Sequence, residues 1–202
     1  MKFKVRYVVI PFVCVLAAPV VLIAALHFKR ITLVQDYINT LQSCAREGDI
    51  LCRLGDRTWS LYFKGLSKED KRFSHLGVVH ISDNGITVIN AEGLAWKGKD
   101  FVNAVPLGEF VRPARMLGLY RLNGVDGEKI AEEAQAMIGK PFDWDFNLNN
   151  ADKVYCTELL YVVLKKLAPE IALPTVAIFG RDIVPLEAVS ASPLFTEVLF
   201  LE

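Results

Sequence analysis

Val-Tyr-Cys-Thr-Glu-Leu-Leu, residues 154–160, is the stretch from which the fold and chemistry of this chain are best inferred. The apolar residues that follow it predict a helix to about Ala168, with Cys156 in the first turn. A helix N-terminus presents unpaired N–H groups and a partial positive charge, and both favour a thiolate. Such a position lowers the pKa of a thiol, so Cys156 is a candidate nucleophile.

A cysteine nucleophile needs a base, and the base needs a polar residue that orients it. His75 and Glu92 are the candidates, each in a strand-like run on one side of Asp-Asn-Gly at 83–85. Asn-Gly predicts a hairpin, because a type I′ turn needs two residues at positive φ. A two-residue loop at either 84–85 or 83–84 places the imidazole and the carboxylate on one face, diagonally or directly opposite. A three-residue loop would turn Glu92 to the other face.

Five short motifs occur along the chain in an order that matches a known family. They are Gly-Asp-Ile at 48–50, Ser-His-Leu-Gly at 74–77, Glu92, Gly-Lys-Pro-Phe-Asp at 139–143 and Tyr-Cys-Thr-Glu-Leu at 155–159. Together they resemble the circularly permuted papain-like amidases of the YiiX/YaeF kind, which are relatives of the NlpC-type cell-wall cysteine peptidases and of lecithin:retinol acyltransferase. The resemblance covers about residues 46–200. It implies an α+β fold, with an antiparallel sheet packed on helices, and it explains a histidine far upstream of its cysteine.

The resemblance also implies a role for each candidate. Cys156 matches the nucleophile, His75 the general base and later acid, and Glu92 the residue that orients the imidazole. Asp143, Trp144 and Tyr155 are candidate substrate-binding residues. Asp143 is a candidate for capping its loop as well as for contacting a substrate amine, and the two aromatic residues are expected to wall the cleft. The backbone N–H of Cys156 is a candidate oxyanion donor.

The N-terminal residues 1–30 predict a membrane anchor. An apolar run at 8–26 would be roughly 28 Å long as a helix, close to the thickness of a bilayer core. A cleaved signal peptide is the alternative, which the length of the run and the bulky residues after it disfavour. The basic residues are slightly more numerous before the run than after it, which favours an exported body. Residues 31–45 predict a connecting helix and residues 46–202 the hydrolase domain.

Composition excludes several other classes of function. The formal net charge is zero, whereas nucleic-acid binding usually shows as a basic excess, so no nucleic-acid partner is expected. The four cysteines form no zinc-like spacing, and no metal or other cofactor is predicted. Cys44 and Cys52 are close enough in sequence to form a disulfide, or are two small core residues.

These observations favour a cysteine hydrolase, anchored in a bacterial inner membrane with its body in the periplasm, that cleaves an amide bond through an acyl-enzyme. Its expected substrate is a peptide, with cell-wall peptide the nearest abundant source, or an acylated small molecule. A thiol-dependent lipid hydrolase or acyltransferase is one alternative. A binding protein that uses the same fold without catalysis is the other.

Overall fold

A six-stranded sheet in the order β4-β3-β2-β1-β5-β8, antiparallel at every step, forms the centre of the molecule. The computed structural model describes residues 6–56, 58–94, 98–150, 152–178 and 180–202. The strands are β1 (Ile50–Gly55), β2 (His75–Ser82), β3 (Gly85–Leu94), β4 (Lys99–Pro106), β5 (Ala114–Leu122), β6 (Val176–Ile178), β7 (Arg181–Ile183) and β8 (Phe195–Leu201). The helices are α1 (Arg6–Cys44), α2 (Thr58–Leu66), α3 (Leu107–Val111), α4 (Gly127–Gln135), α5 (Cys156–Leu167) and α6 (Glu187–Ser190). Strands β6 and β7 form a separate two-stranded sheet.

Each face of the large sheet has its own hydrophobic core, because side chains alternate between the faces along a strand. On one face, Cys52, Leu76 and Val78 pack against α4 and α5. On the other face, Val79 and Phe110 belong to the core that the end of α1 and α3 cover. The helix that carries the candidate nucleophile, α5, therefore packs on the first face, while the candidate base, His75, lies at the start of β2.

Helix α1 runs without a break through the boundary that the sequence predicted between residues 30 and 31. Its last turns are anchored by Tyr37 and Leu41, which are buried in the core that also contains Val79 and Phe110. Residues 1–5 of the predicted anchor lie outside the described residues, as do the side chains of residues 6–20. In the part of the chain that the structure describes, no helix combines the length and apolarity needed to cross a bilayer, so the predicted transmembrane helix finds no support there.

The β2–β3 hairpin has the second of the two registers that the sequence left open. Ser82 pairs with Gly85, so Asp83 and Asn84 form the loop. Among the described residues, positive φ is confined to glycines and Phe146, and Gly85 has φ of 107°. Asn84 therefore does not adopt the left-handed conformation that a type I′ loop at 84–85 requires of it.

The three cysteines at 44, 52 and 156 are free. Cys52 is fully buried in the first core and Cys44 is half-buried near the end of α1. The disulfide considered for Cys44 and Cys52 is absent, and Cys52 is one of the small core residues that the alternative predicted.

Candidate active site

Cys156 is the first residue of α5, as the sequence predicted. Tyr155 precedes the helix in an extended conformation, and its backbone N–H donates to Glu158 Oε2 at 3.2 Å. This acidic residue therefore satisfies an N–H group at the helix entrance, as in one half of a capping box. The backbone N–H groups of Leu76, Thr157 and Cys156 itself lower the pKa of the thiol, so all three lie near the sulfur. The thiol thus lies between the start of α5 and the start of β2.

The pKa of the Cys156 thiol lies above its ordinary value, which differs from the prediction. Burial raises the pKa to about 11, the three backbone N–H groups lower it, and the charge of Glu92 raises it further. The residue is only 7% exposed, so desolvation of a thiolate outweighs the helix N-terminus. The sequence shows the helix start but not the depth of burial, and the resting group is a thiol.

His75, the first residue of β2, is held by Asn90 on β3. The ring Nε2 lies 3.0 Å from Asn90 Oδ1. The amide Nδ2 of Asn90 donates to the carbonyl oxygen of Val88 and to Asn103 Oδ1, both at 3.3 Å. Because both of these partners are acceptors, the amide oxygen faces the imidazole and Nε2 carries the proton. The lone pair of His75 is therefore on Nδ1, which is available to accept a proton.

Gly77 makes room for this bond. A Cβ added at Gly77 would lie 2.5 Å from Val88 Cγ1, 2.8 Å from the carbonyl oxygen of Ile89 and 3.0 Å from Asn90 Cβ. Real Cβ atoms do not approach backbone so closely, so a side chain at this position would push β3 away. Glycine thus lets Asn90 reach across the strand to His75.

The orienting role that the resemblance implied for Glu92 stays a prediction, because the hydrogen bond to the imidazole in the structure is formed by Asn90. Glu92 Oε1 instead accepts a hydrogen bond from Arg53 Nη2 at 2.7 Å. Arg53 is buried, and its Nη1 donates to the carbonyl oxygen of Phe110 at 2.8 Å. Its guanidinium carbon lies 4.4 Å from the centre of the Phe110 ring, which stacks on His75 with centroids 5.6 Å apart. Glu92 and Arg53 therefore form a charged pair beside the imidazole.

The imidazole of His75 is neutral at pH 7. Burial lowers its pKa most, the Arg53 charge lowers it further, and Glu92 and the Asn90 bond oppose them, with a resulting pKa of about 4. The candidate pair thus rests as a thiol and a neutral imidazole. Among the described residues no hydrogen bond joins the Cys156 sulfur to the ring of His75. Catalytic contacts of this kind often tighten only when substrate binds.

The three candidate substrate-binding residues differ in what surrounds them. Asp143 is fully buried and its carboxylate accepts from the N–H groups of Asp145 and Asn147 at 3.0 and 2.6 Å, so it folds its own loop. Tyr155 is also buried, and its hydroxyl accepts from the Val184 N–H at 3.0 Å, which makes it part of the core. Neither residue offers a surface to a substrate.

Trp144 differs from these two because it is 49% exposed. Its Nε1 donates to the Asp100 carboxylate at 2.9 Å, and its ring lies over Gly93, next to Glu92. The predicted contact of Trp144 with substrate stays a prediction.

Asn90 and Arg53 are the two site residues that the sequence did not lead us to predict. A signal for Asn90 was present, because the 83–84 loop places residue 90 opposite Gly77, on the face that carries His75. Arg53 had no such signal, since a lone arginine in a short strand is ordinarily a solvated residue.

Comparison with known proteins identifies the fold and the family. The family model described as "Permuted papain-like amidase enzyme, YaeF/YiiX, C92 family" matches residues 45–196. The crystal structure of the metalloprotein YiiX from Escherichia coli O157:H7 superposes with a TM-score of 0.62 at 20% identity. The match covers 76% of this chain and 96% of that one. No curated protein matches the chain.

The predicted α+β permuted papain-like fold is confirmed by these matches. The Escherichia coli protein is described as a metalloprotein. In the described ranges of this chain, no group of three or more His, Cys, Asp or Glu side chains is arranged to hold a metal ion.

Proposed function

Because this chain belongs to the family of permuted papain-like amidases, we propose that it is a cysteine amidase that acts through Cys156, His75 and Asn90. The observation that carries the proposal is the arrangement around β2. The N–H of Leu76 lies near the Cys156 thiol and lowers its pKa, and the neighbouring His75 is fixed by Asn90 with Nδ1 as its basic nitrogen. This is the set of roles that a thiol hydrolase requires.

In the first half of the reaction, Cys156 transfers its proton to His75 Nδ1 as the sulfur attacks the carbonyl carbon of the amide. The transfer accompanies attack because both groups are neutral at rest. The oxyanion that forms accepts from the backbone N–H of Cys156. The C–N bond then breaks, the imidazolium returns its proton to the leaving nitrogen, and a thioester remains on Cys156.

In the second half, water attacks the thioester while His75 Nδ1 takes one of its protons. The C–S bond breaks, the sulfur recovers a proton from the imidazolium, and a carboxylic acid leaves. Throughout, Asn90 holds the Nε2–H and so keeps the basic nitrogen directed at the reacting atoms. Arg53 opposes a long-lived imidazolium, which keeps the base neutral between turnovers.

The decisive experiment compares Cys156→Ala with Cys52→Ala. Both cysteines are buried in or beside the same core, so the second variant controls for the loss of a buried thiol. We expect release of p-nitrophenolate from p-nitrophenyl acetate, and of amines from amide substrates, to be lost only in Cys156→Ala. Equal rates in the two variants, both folded by circular dichroism, would refute the assignment of the nucleophile.

For the substrate, we propose a cell-wall peptide, and for the location, the periplasmic side of a bacterial inner membrane. The support is the likeness of the family to cell-wall cysteine peptidases and the apolar run at 8–26. Incubation with purified cell-wall fragments should release new amino groups. Protease added to right-side-out vesicles should digest the body, and protection of the body would contradict the proposed location.

A lipid or acylated substrate is the second candidate, and one observation favours it. Helix α1 exposes several large apolar side chains, namely Val21, Leu22, Ile23, Leu26 and Phe28. Exposed apolar residues in such a row are typical of surfaces that meet a membrane or a partner. Release of fatty acid from phospholipid vesicles, without release of amines from cell-wall fragments, would establish this candidate in place of the peptide.

A further inference from the structure

A cavity of about 1000 Å³ lies between α1 and α3. It opens on the sheet face that carries His75, because its lining includes Arg53, the cross-strand partner of His75, and Glu92. The charged pair beside the imidazole thus belongs to the lining of this cavity, whereas Cys156 and His75 are not among its lining residues. None of the catalytic steps proposed for Cys156 and His75 requires this space.

One wall of the cavity is an aliphatic stripe on α1. Ile31, Val34 and Ile38 follow one another on successive turns of the helix and all line the cavity. At one end the stripe packs against α3: a Cβ added at Gly108 would lie 3.4 Å from Ile38 Cδ1. At the other end Arg30 donates to Asp56 and to the carbonyl oxygen of Arg112, both at 3.2 Å. The stripe is suited to an alkyl group, since it gives that group apolar surface to bury.

Among the described residues, the polar lining carries three guanidinium groups, Arg30, Arg53 and Arg112, and three carboxylates, Asp56, Glu92 and Glu109. Arg30 is paired with Asp56, and Arg53 is paired with Glu92. Arg112 is exposed and lines the cavity, and it forms no ion pair within the described part of the chain. A guanidinium is the side chain that binds a carboxylate best, through two parallel hydrogen bonds. The cavity therefore offers a carboxylate site next to an aliphatic wall.

The position of His75 decides which half of a substrate can occupy the cavity. The imidazole returns its proton to the leaving nitrogen, so the substituents of that nitrogen lie on the imidazole side of the thiol. The acyl half remains on the sulfur, at the start of α5. Arg53 and Glu92 are neighbours of the imidazole and line the cavity, which places the cavity on the leaving-group side.

We propose that this cavity is the leaving-group subsite, and that it takes an amino acid or short peptide with an aliphatic first side chain and a free carboxylate. The aliphatic side chain lies against Ile31, Val34 and Ile38, and the carboxylate binds Arg112. This inference rests on the proposed cysteine amidase activity and adds the chemical class of the leaving group. Helix α1 is then a wall of the substrate site as well as an N-terminal extension.

The test uses the acyl-enzyme formed from p-nitrophenyl acetate, whose p-nitrophenolate burst reports the first half-reaction. Added amines compete with water for the thioester: the amine nitrogen attacks the carbonyl carbon, the C–S bond breaks and an N-acetyl product leaves with Cys156 as a thiol. The acceptors are leucyl-glycine, leucyl-glycinamide and glycyl-glycine. The first two share the amine and the leucyl side chain and differ in the carboxylate, and the third lacks the alkyl group. Mass spectrometry measures the ratio of N-acetyl product to acetate.

We expect leucyl-glycine to capture the acyl group in a saturable manner, roughly tenfold better than leucyl-glycinamide, because a charge-assisted hydrogen bond is lost with the carboxylate. Its advantage over glycyl-glycine should also be roughly tenfold, since leucine buries an alkyl group. Val34→Trp or Ile31→Trp should abolish the second preference and Arg112→Gln the first. Leu33→Trp is the matched control, because Leu33 is an exposed neighbour that does not line the cavity.

The ratio is measured per acyl-enzyme formed, so a variant with less active protein still reports its preference. Loss of the burst in the unmodified protein would refute the proposed function, and the subsite with it. An intact burst with equal capture of the three acceptors would refute the subsite alone. Preferences that survive both Val34→Trp and Ile31→Trp would also place the leaving group elsewhere.

Discussion

Replacement of Asn90 by alanine tests the structural assignment of the site most directly. The substitution removes the acceptor of the His75 Nε2–H, which lies 3.0 Å from Asn90 Oδ1. It leaves Cys156, Arg53 and Glu92 in place. The imidazole then loses the contact that fixes its tautomer, and both the ring orientation and the position of the lone pair become variable.

The magnitude follows from the hydrogen bond that is lost. A buried donor left without its acceptor costs about 1–3 kcal/mol. If this cost falls on the productive arrangement of the imidazole, kcat/KM for p-nitrophenyl acetate should fall roughly 5- to 150-fold, since 1.36 kcal/mol corresponds to a factor of ten. Asn90 is buried, so bulk water does not readily replace its amide oxygen.

Glu92→Gln is the matched comparison, because the family resemblance assigned the orienting role to Glu92. The amide keeps an acceptor for Arg53 but removes the negative charge. That charge raises the pKa of both His75 and Cys156, so its loss should move both limbs of the pH profile to lower pH. We expect a change of less than about fivefold in kcat/KM at pH 7, where the imidazole is neutral in either case.

The assay is kcat/KM against pH for wild type and both variants, with circular dichroism to confirm folding. We expect Asn90→Ala to be the slower enzyme and Glu92→Gln to be the one with shifted limbs. A large loss in Glu92→Gln together with near-normal rates in Asn90→Ala would overturn the structural assignment. The carboxylate would then be the orienting group that the resemblance implied.

Three further predictions concern the same region. Alkylation of Cys156 by iodoacetamide should accelerate with pH toward its pKa of about 11, and a rate that is already maximal near pH 7 would contradict a buried thiol. Burial raises the pKa of Glu158 to about 8. The folded state therefore retains a proton that the unfolded state releases above about pH 4.5. The free energy of unfolding should fall as pH rises from 4.5 to 8. Glu158→Gln, which stays neutral, should therefore unfold at a higher temperature than wild type at pH 9, with a gain on the order of 5 kcal/mol, and at a similar temperature at pH 5. Equal melting at both pH values would mean that Glu158 titrates normally. Gly77→Ala should push β3 away, because the added Cβ would clash with that strand. We expect denaturant titrations to show a loss of about 1–3 kcal/mol in the free energy of unfolding, and kcat/KM to fall. Unchanged activity would show that Asn90 does not depend on the space at Gly77.

Local patterns in the sequence are sufficient to predict the helix and the strand that carry Cys156 and His75. Cys156 begins a helix because an apolar, helix-forming run follows it and Glu158 caps its entrance, and these are short-range effects. The strand at His75 and the turn after it are likewise local. The sequence left two registers open for the β2–β3 hairpin, because the loop depends on which residues adopt positive φ once β3 is packed.

The neighbours of His75 depend on the whole sheet. Arg53 comes from β1, Asn90 from β3 and Phe110 from α3, and only the strand order places them around one imidazole. Sequence separation carries no information about such contacts. For the same reason Asp143 and Tyr155 were expected near substrate, whereas packing of the loop and helix entrance buries both.

Which residues can react, and in which elements they lie, follows from short-range preferences, since helix starts, turns and strand alternation are local properties of the backbone. How those residues behave depends on burial and on long-range contacts in the folded chain. Burial keeps the Cys156 thiol and the His75 imidazole neutral, because a charged form loses its hydration in a closed site. Tertiary packing also decides that Asn90 holds the base and that Glu92 is paired with Arg53, since those contacts join segments that the chain keeps far apart.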